Sequence, residues 1–130
     1  MRRRAVAVKI HCPIQPETLA AMFAGDNSAL ERDPAASAIL AVIRDDNPLG
    51  DFGLYNCVCE IAPGWESFLP GAGASPTLGT AGTRSLSPTA ILTTYADADA
   101  DLAKALAALM AAHPWEVPVI ELSDVDLLVR

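Results

Sequence analysis

Apolar and polar positions along this chain switch between a two-residue and a helical rhythm, and the switches predict its elements. Ala5 to Cys12 is a short apolar run carrying β-branched residues and closed by Pro13, which predicts a strand. Glu17 to Phe23 is a short helical patch, cut by Gly25-Asp26-Asn27-Ser28. From Pro34 to Arg44 the rhythm is helical: Ile39, Leu40 and Ile43 share a stripe, Asp33 is placed to cap it and Pro34 takes the first position. Asp45 to Gly50 ends that helix. Tyr55 to Ile61 alternates and predicts the second strand, with Cys57 and Cys59 on one face; Thr89 to Tyr95 predicts the third. Asp97, Asp99 and Asp101 open a second main helix, Leu102 to Ala112, where negative charge suits the helix dipole. Leu102, Leu106, Leu109 and Met110 line one of its faces.

That helix runs into Ala112-His113-Pro114-Trp115-Glu116-Val117-Pro118. Proline lacks an amide proton and pushes its predecessor out of the helical region, so the two prolines stop the helix and hold the next segment extended. Val119 to Leu122 should be the fourth strand, and Val125 to Val129 an added edge strand or docking tail. Strand, helix, strand, strand, helix, strand is the split βαβ or ferredoxin-like pattern: an α+β fold with an antiparallel four-stranded sheet and helices on one face. In that topology the first strand ends at the sheet edge where the fourth begins. His11 and Cys12 should therefore lie near His113 and Glu116. Between strands two and three, Pro63 to Gly82 reads as an extended Gly-rich loop, of a length that is usually functional.

A length of 130 residues, 52% hydrophobic and 19% charged, fits one globular domain over 1–130. The net charge of -7 argues against nucleic acid as a partner. The one basic run, Arg2-Arg3-Arg4, is expected as a solvated tail over residues 1–4. No stretch approaches the roughly 20 apolar residues of a membrane span. Three cysteines without a secretory signal imply reduced thiols and a cytoplasmic location.

Several motifs fail on inspection. Gly71-Ala72-Gly73-Ala74-Ser75-Pro76 starts like a dinucleotide fingerprint, but Pro76 stands at the third glycine and no helix follows. There is no Walker lysine. Asp97-Ala98-Asp99-Ala100-Asp101 imitates a calcium loop, with Leu102 and Ala108 at the glycine and glutamate positions. What remains is a set of candidates. His11, Cys12 and His113 could ligate a divalent metal ion if the topology gathers them. Glu116 and His113, with Tyr55 or Arg84, could supply acid-base groups.

Three motifs also resemble a known family. Gly50-Asp51-Phe52-Gly53-Leu54-Tyr55 is similar to the G-x-x-G-x-Y lead-in to the second strand in the inserted domain of NIF-three-like proteins. Phe68-Leu69-Pro70, followed by Gly73-Ala74-Ser75-Pro76-Thr77-Leu78-Gly79-Thr80-Ala81-Gly82, resembles that domain's F-x-P and G-A-x-P-x-x-G-x-x-G loop. The His113 corner resembles its A-H-P-Y-E-x-P segment, with Trp115 for tyrosine. The same corner, with Cys12-Pro13, also resembles the CutA divalent-ion-tolerance proteins. The resemblance implies a PII/CutA-like domain, a stand-alone version of the inserted domain (the YqfO type), that assembles through its sheets, commonly as a trimer. It does not carry over the dinuclear metal centre, whose ligands belong to flanking domains. Residues 24–33 read as an insertion relative to that pattern.

The expected function is a small oligomeric binding or regulatory module. Its ligand or protein partner would be held near Gly73, Gly79, Gly82, Trp115 and Glu116, since loop amides and clefts suit small molecules. The alternatives are a lyase, cyclase or isomerase using Glu116 and His113, and a divalent metal-ion binder like CutA.

Overall fold

A computed structural model describes residues 1–130. Four strands, β1 (Arg2–Pro13), β2 (Glu60–Phe68), β3 (Ser85–Asp97) and β4 (Ile120–Leu128), form one sheet. The helices are α1 (Pro16–Phe23), α2 (Ala29–Arg32), α3 (Pro34–Arg44) and α4 (Ala103–Ala112). The sheet order is β2-β3-β1-β4 with every pair antiparallel, so β1 and β2 are split apart by β3. Opposite Ile10 stand Leu92 on β3 and Ile120 on β4, and Ile61 on β2 faces Leu92 in turn.

Side chains alternate across a strand, and this register sorts them cleanly. Val8, Ile10 and Cys12 share a face with Ala90, Leu92 and Ala96, and against it pack Leu19, Leu30, Ile39, Ile43 and Leu109. Each helix contributes to that single core, so all four lie on one side of the sheet. Lys9, His11, Ile91, Thr93 and Tyr95 occupy the other side, which no helix covers.

Helix α3 starts and ends where its caps predict. Asp33 is buried, and its Oδ1 accepts from the N–H groups of Ala35 and Ala36 at 3.1 and 3.0 Å. Its Oδ2 accepts from Gln15 N and Thr18 Oγ1 at 2.9 and 2.7 Å, so one carboxylate also anchors the start of α1. In α4 the buried stripe is Ala105 and Leu109, with Leu102 and Leu106 half-buried. Met110, expected on that stripe, is 52% exposed. Leu102 stands at the N-cap of α4, and Asp101 before it accepts from Ala103 N at 3.1 Å, whereas Asp97 closes β3.

Other expectations are corrected. Tyr55 to Ile61 is not the second strand: Gly50 donates to Tyr95 O at 2.7 Å and accepts from Val58 N at 3.0 Å, folding residues 50–58 across the end of β3. Cys57 there takes a positive φ of 58° and, like Cys59, precedes β2. The ladder begins at Glu60 opposite Thr93 and continues through Pro63 and Gly64 to Phe68. An edge strand tolerates a proline because half its amides face no neighbour. The β2–β3 connection is accordingly residues 69–84 rather than a loop from Pro63.

Arg2, Arg3 and Arg4 are strand, not a free tail, because β4 is long enough to pair with them at Leu128, Leu127 and Asp126. Arg3 bonds to Asp97 at 2.6 Å and lies 5.0 Å over the Phe52 ring. The expected fourth strand and its separate edge piece are one continuous β4. Residues 24–33 carry α2, whose Ala29 and Leu30 join the buried interior. No helix is long and apolar enough to cross a membrane.

Candidate functional site

The corner between α4 and β4 is built by Pro114. It holds His113 at ψ 129°, outside the helical region, while the His113 N–H still donates to Leu109 O at 3.0 Å. The imidazole turns inward and is 5% exposed. Its Nε2 lies 2.8 Å from the His11 carbonyl and its Nδ1 lies 3.2 Å from the Trp115 amide. A carbonyl only accepts and an amide only donates, so the two partners fix the Nε2–H tautomer. Both ring nitrogens are spent on holding the corner to the end of β1.

The topology does bring His11 and His113 together, though through the backbone of His11. The His11 side chain lies on the uncovered face, with Nε2 3.6 Å from Glu121 Oε2. Cys12 points into the helix-covered core, where its Sγ donates to Pro13 O at 3.5 Å and burial pushes the thiol up to about 12. His11, Cys12 and His113 do not converge on a point. The structure holds no group of three His, Cys, Asp or Glu side chains placed to hold a metal ion.

Glu116 bonds to neither histidine. Its Oε1 accepts from Ser75 N at 2.7 Å, and Thr77 Oγ1 donates to Pro114 O at 2.8 Å. These bonds tie the corner to the 69–84 connection. That connection closes on itself through Gly82 N to Pro70 O, at 2.8 Å. Gly79 and Gly82 adopt φ of 90° and 81°, and a Cβ on Gly79 would meet Ser85 Oγ at 2.2 Å. The backbone thus favours glycine at 79, and a Cβ there would also displace the Ser85 hydroxyl. Gly73 faces open space, and neither backbone nor space calls for glycine there.

Between connection and corner lies a cleft of about 290 Å³. Phe68 and Trp115 form one end, with ring centroids 5.3 Å apart and planes at 59°. Leu69, Leu78 and Val117 add apolar wall, and Glu66 and Glu116 are its charged groups. Gly73, Gly79 and Gly82 shape the connection without lining the cleft; Gly71 and Ala74 line it instead. Glu66 lies on β2 beyond Ile61, where the alternation of the sequence ends the predicted second strand. The signal that finds it is its two-residue spacing from Phe68, which puts both on one face of β2.

The other candidate acid-base groups stay apart. Tyr55 is 74% exposed, in the segment that folds over the Tyr95 end of β3, opposite the end that carries the corner. Arg84 is exposed just before β3 and forms no ion pair.

No family model matches the chain, and neither does any curated protein. Among solved structures the chain is similar to a Bacillus cereus protein related to NIF3, with a TM-score of 0.63 at 17% identity. The match covers 96% of this chain and 26% of that one. The chain thus has the fold of part of a NIF3-related protein and spans about a quarter of its length.

Proposed function

We propose that this chain is a small binding or regulatory domain that holds a small ligand in the cleft between residues 69–84 and the His113–Glu116 corner. One observation carries the reading. Two segments far apart in sequence are tied by the Ser75–Glu116 and Thr77–Pro114 bonds, and the walled space between them exposes two aromatic rings and two carboxylates. A concave apolar pocket with a few convergent polar groups is the usual form of a small-molecule site. The engaged nitrogens of His113 and the distance of Tyr55 favour binding over acid-base catalysis. Copies assemble through the uncovered sheet face, as the NIF-three-like resemblance implies.

The test uses Trp115 as reporter. The chain has two tryptophans, so Trp65→Phe leaves Trp115 alone. Ligands retained in native mass spectrometry or selected from a metabolite panel should shift Trp115 emission, and Phe68→Ala should abolish the shift. Ligands that bind equally well to Phe68→Ala and leave the emission unmoved would place binding elsewhere and overturn the reading.

A further inference from the structure

We propose that the ligand of this cleft is a small organic cation, an alkyl- or methylammonium group seated against Phe68 and Trp115 and neutralised by Glu66 and Glu116. This rests on the cleft being the binding site.

The strand register supplies half of the arrangement. Glu66 and Phe68 are two apart on β2, so a carboxylate and a ring stand side by side on the same face. The proline corner supplies the other half, with Trp115 and Glu116 consecutive beside them. The two rings meet at 59°, giving two aromatic walls. A cation over such a ring is attracted by its quadrupole, most strongly over tryptophan.

The charge balance selects the sign. Glu66 and Glu116 are the only charged groups among the 12 residues lining the cleft, and neither is in an ion pair. Glu116 spends Oε1 on the Ser75 amide, which leaves Oε2 for a ligand. No lysine, arginine or histidine lines the space. An anion would meet two uncompensated carboxylates there, whereas a cation meets two partners in a chain of net charge -7.

The apolar remainder selects the kind of cation. Leu69, Leu78 and Val117 offer nothing to a tightly hydrated divalent ion, which keeps its waters and asks for several oxygens. They suit the methyl or methylene groups of an ammonium compound. A volume of about 290 Å³ is at the small end for ligand pockets and fits a headgroup with a short stem.

The experiment titrates the Trp65→Phe protein with choline, with 3,3-dimethylbutan-1-ol, which replaces the nitrogen by carbon, and with 3,3-dimethylbutanoate, all at matched ionic strength. Choline should shift Trp115 emission at least about ten-fold more tightly than the other two. Glu66→Gln with Glu116→Gln should weaken choline by a similar factor. Glutamine keeps an acceptor for the Ser75 amide, so the fold is preserved while the charge goes; an unchanged urea midpoint verifies this. A trimethyllysine peptide run in parallel tells a protein-borne ammonium from a free one, and tighter binding of free choline is expected. Equal or tighter binding of the alcohol or the anion overturns the cation assignment and leaves the cleft as the site. If none of the probes moves Trp115, the cation assignment fails, and the metabolite panel then decides the fate of the site itself.

Discussion

His113 shows how one side chain can carry a corner. It gives its Nε2 proton to the His11 carbonyl and receives the Trp115 amide on Nδ1, from a nearly water-free position. His113→Ala leaves a buried carbonyl and an amide without partners, so the protein should lose about 2–4 kcal/mol in urea denaturation. The approach of the two histidines was legible in the sequence because it follows from topology alone. That the contact uses a backbone carbonyl was not, since any residue at position 11 presents the same acceptor. The cysteines divide in a related way. Burial holds Cys12 and Cys59 as thiols, pushed up to about 12 and about 11, while Cys57 is exposed. An alkylating reagent at mildly alkaline pH should label Cys57 in the folded protein and all three only after unfolding; rapid native labelling of Cys12 would contradict this placement.

Among elements, α3 was fully readable and β2 was not, for opposite reasons. The limits of α3 are written locally: Asp33 caps it, Pro34 opens it and Ile39, Leu40 and Ile43 give it a buried stripe. β2 contains Pro63 and Gly64, which argue locally for a loop and are overruled by pairing with β3. Only the neighbour decides. The same pairing hides Glu66 from local reading, while the loop and the His113–Glu116 corner on either side of the cleft are legible in the sequence. Asp33 serves α1 and α3 at once, so its removal costs more than an ordinary cap. Asp33→Ala should destabilise by roughly 2–4 kcal/mol, beyond the usual ~1 for a cap, whereas Asp33→Asn should fall between it and the native chain. Chemical denaturation checks the order of the three.

For the molecule as a whole, two predictions concern its stability towards base and its assembly. Cys12 and Cys59 keep their protons in the folded state well above the ordinary 9.0, at which the unfolded chain loses them. Their contribution is therefore complete below pH 9.0 and is lost as pH rises towards about 11 and then about 12. The urea midpoint should fall across that interval, and Cys12→Ala should flatten the fall. The proposed assembly uses the sheet: its helix-free side carries Lys9, His11, Ile91, Thr93 and Tyr95, all at least partly exposed, a surface for copies of the chain to cover. Sedimentation equilibrium should give a trimer; a monomer at micromolar concentration would remove that part of the reading.

The place of β1 in the sheet also governs how the chain comes into being. The strand synthesised first lies between β3 and β4, and Arg2 pairs with Leu128. On the ribosome β1 has no partner until residues 85–97 emerge, and it stays open on its other flank until residues 120–128 follow. Its apolar run stays without a sheet partner until those later segments follow, and a strand whose partners lie this far away in sequence pairs slowly.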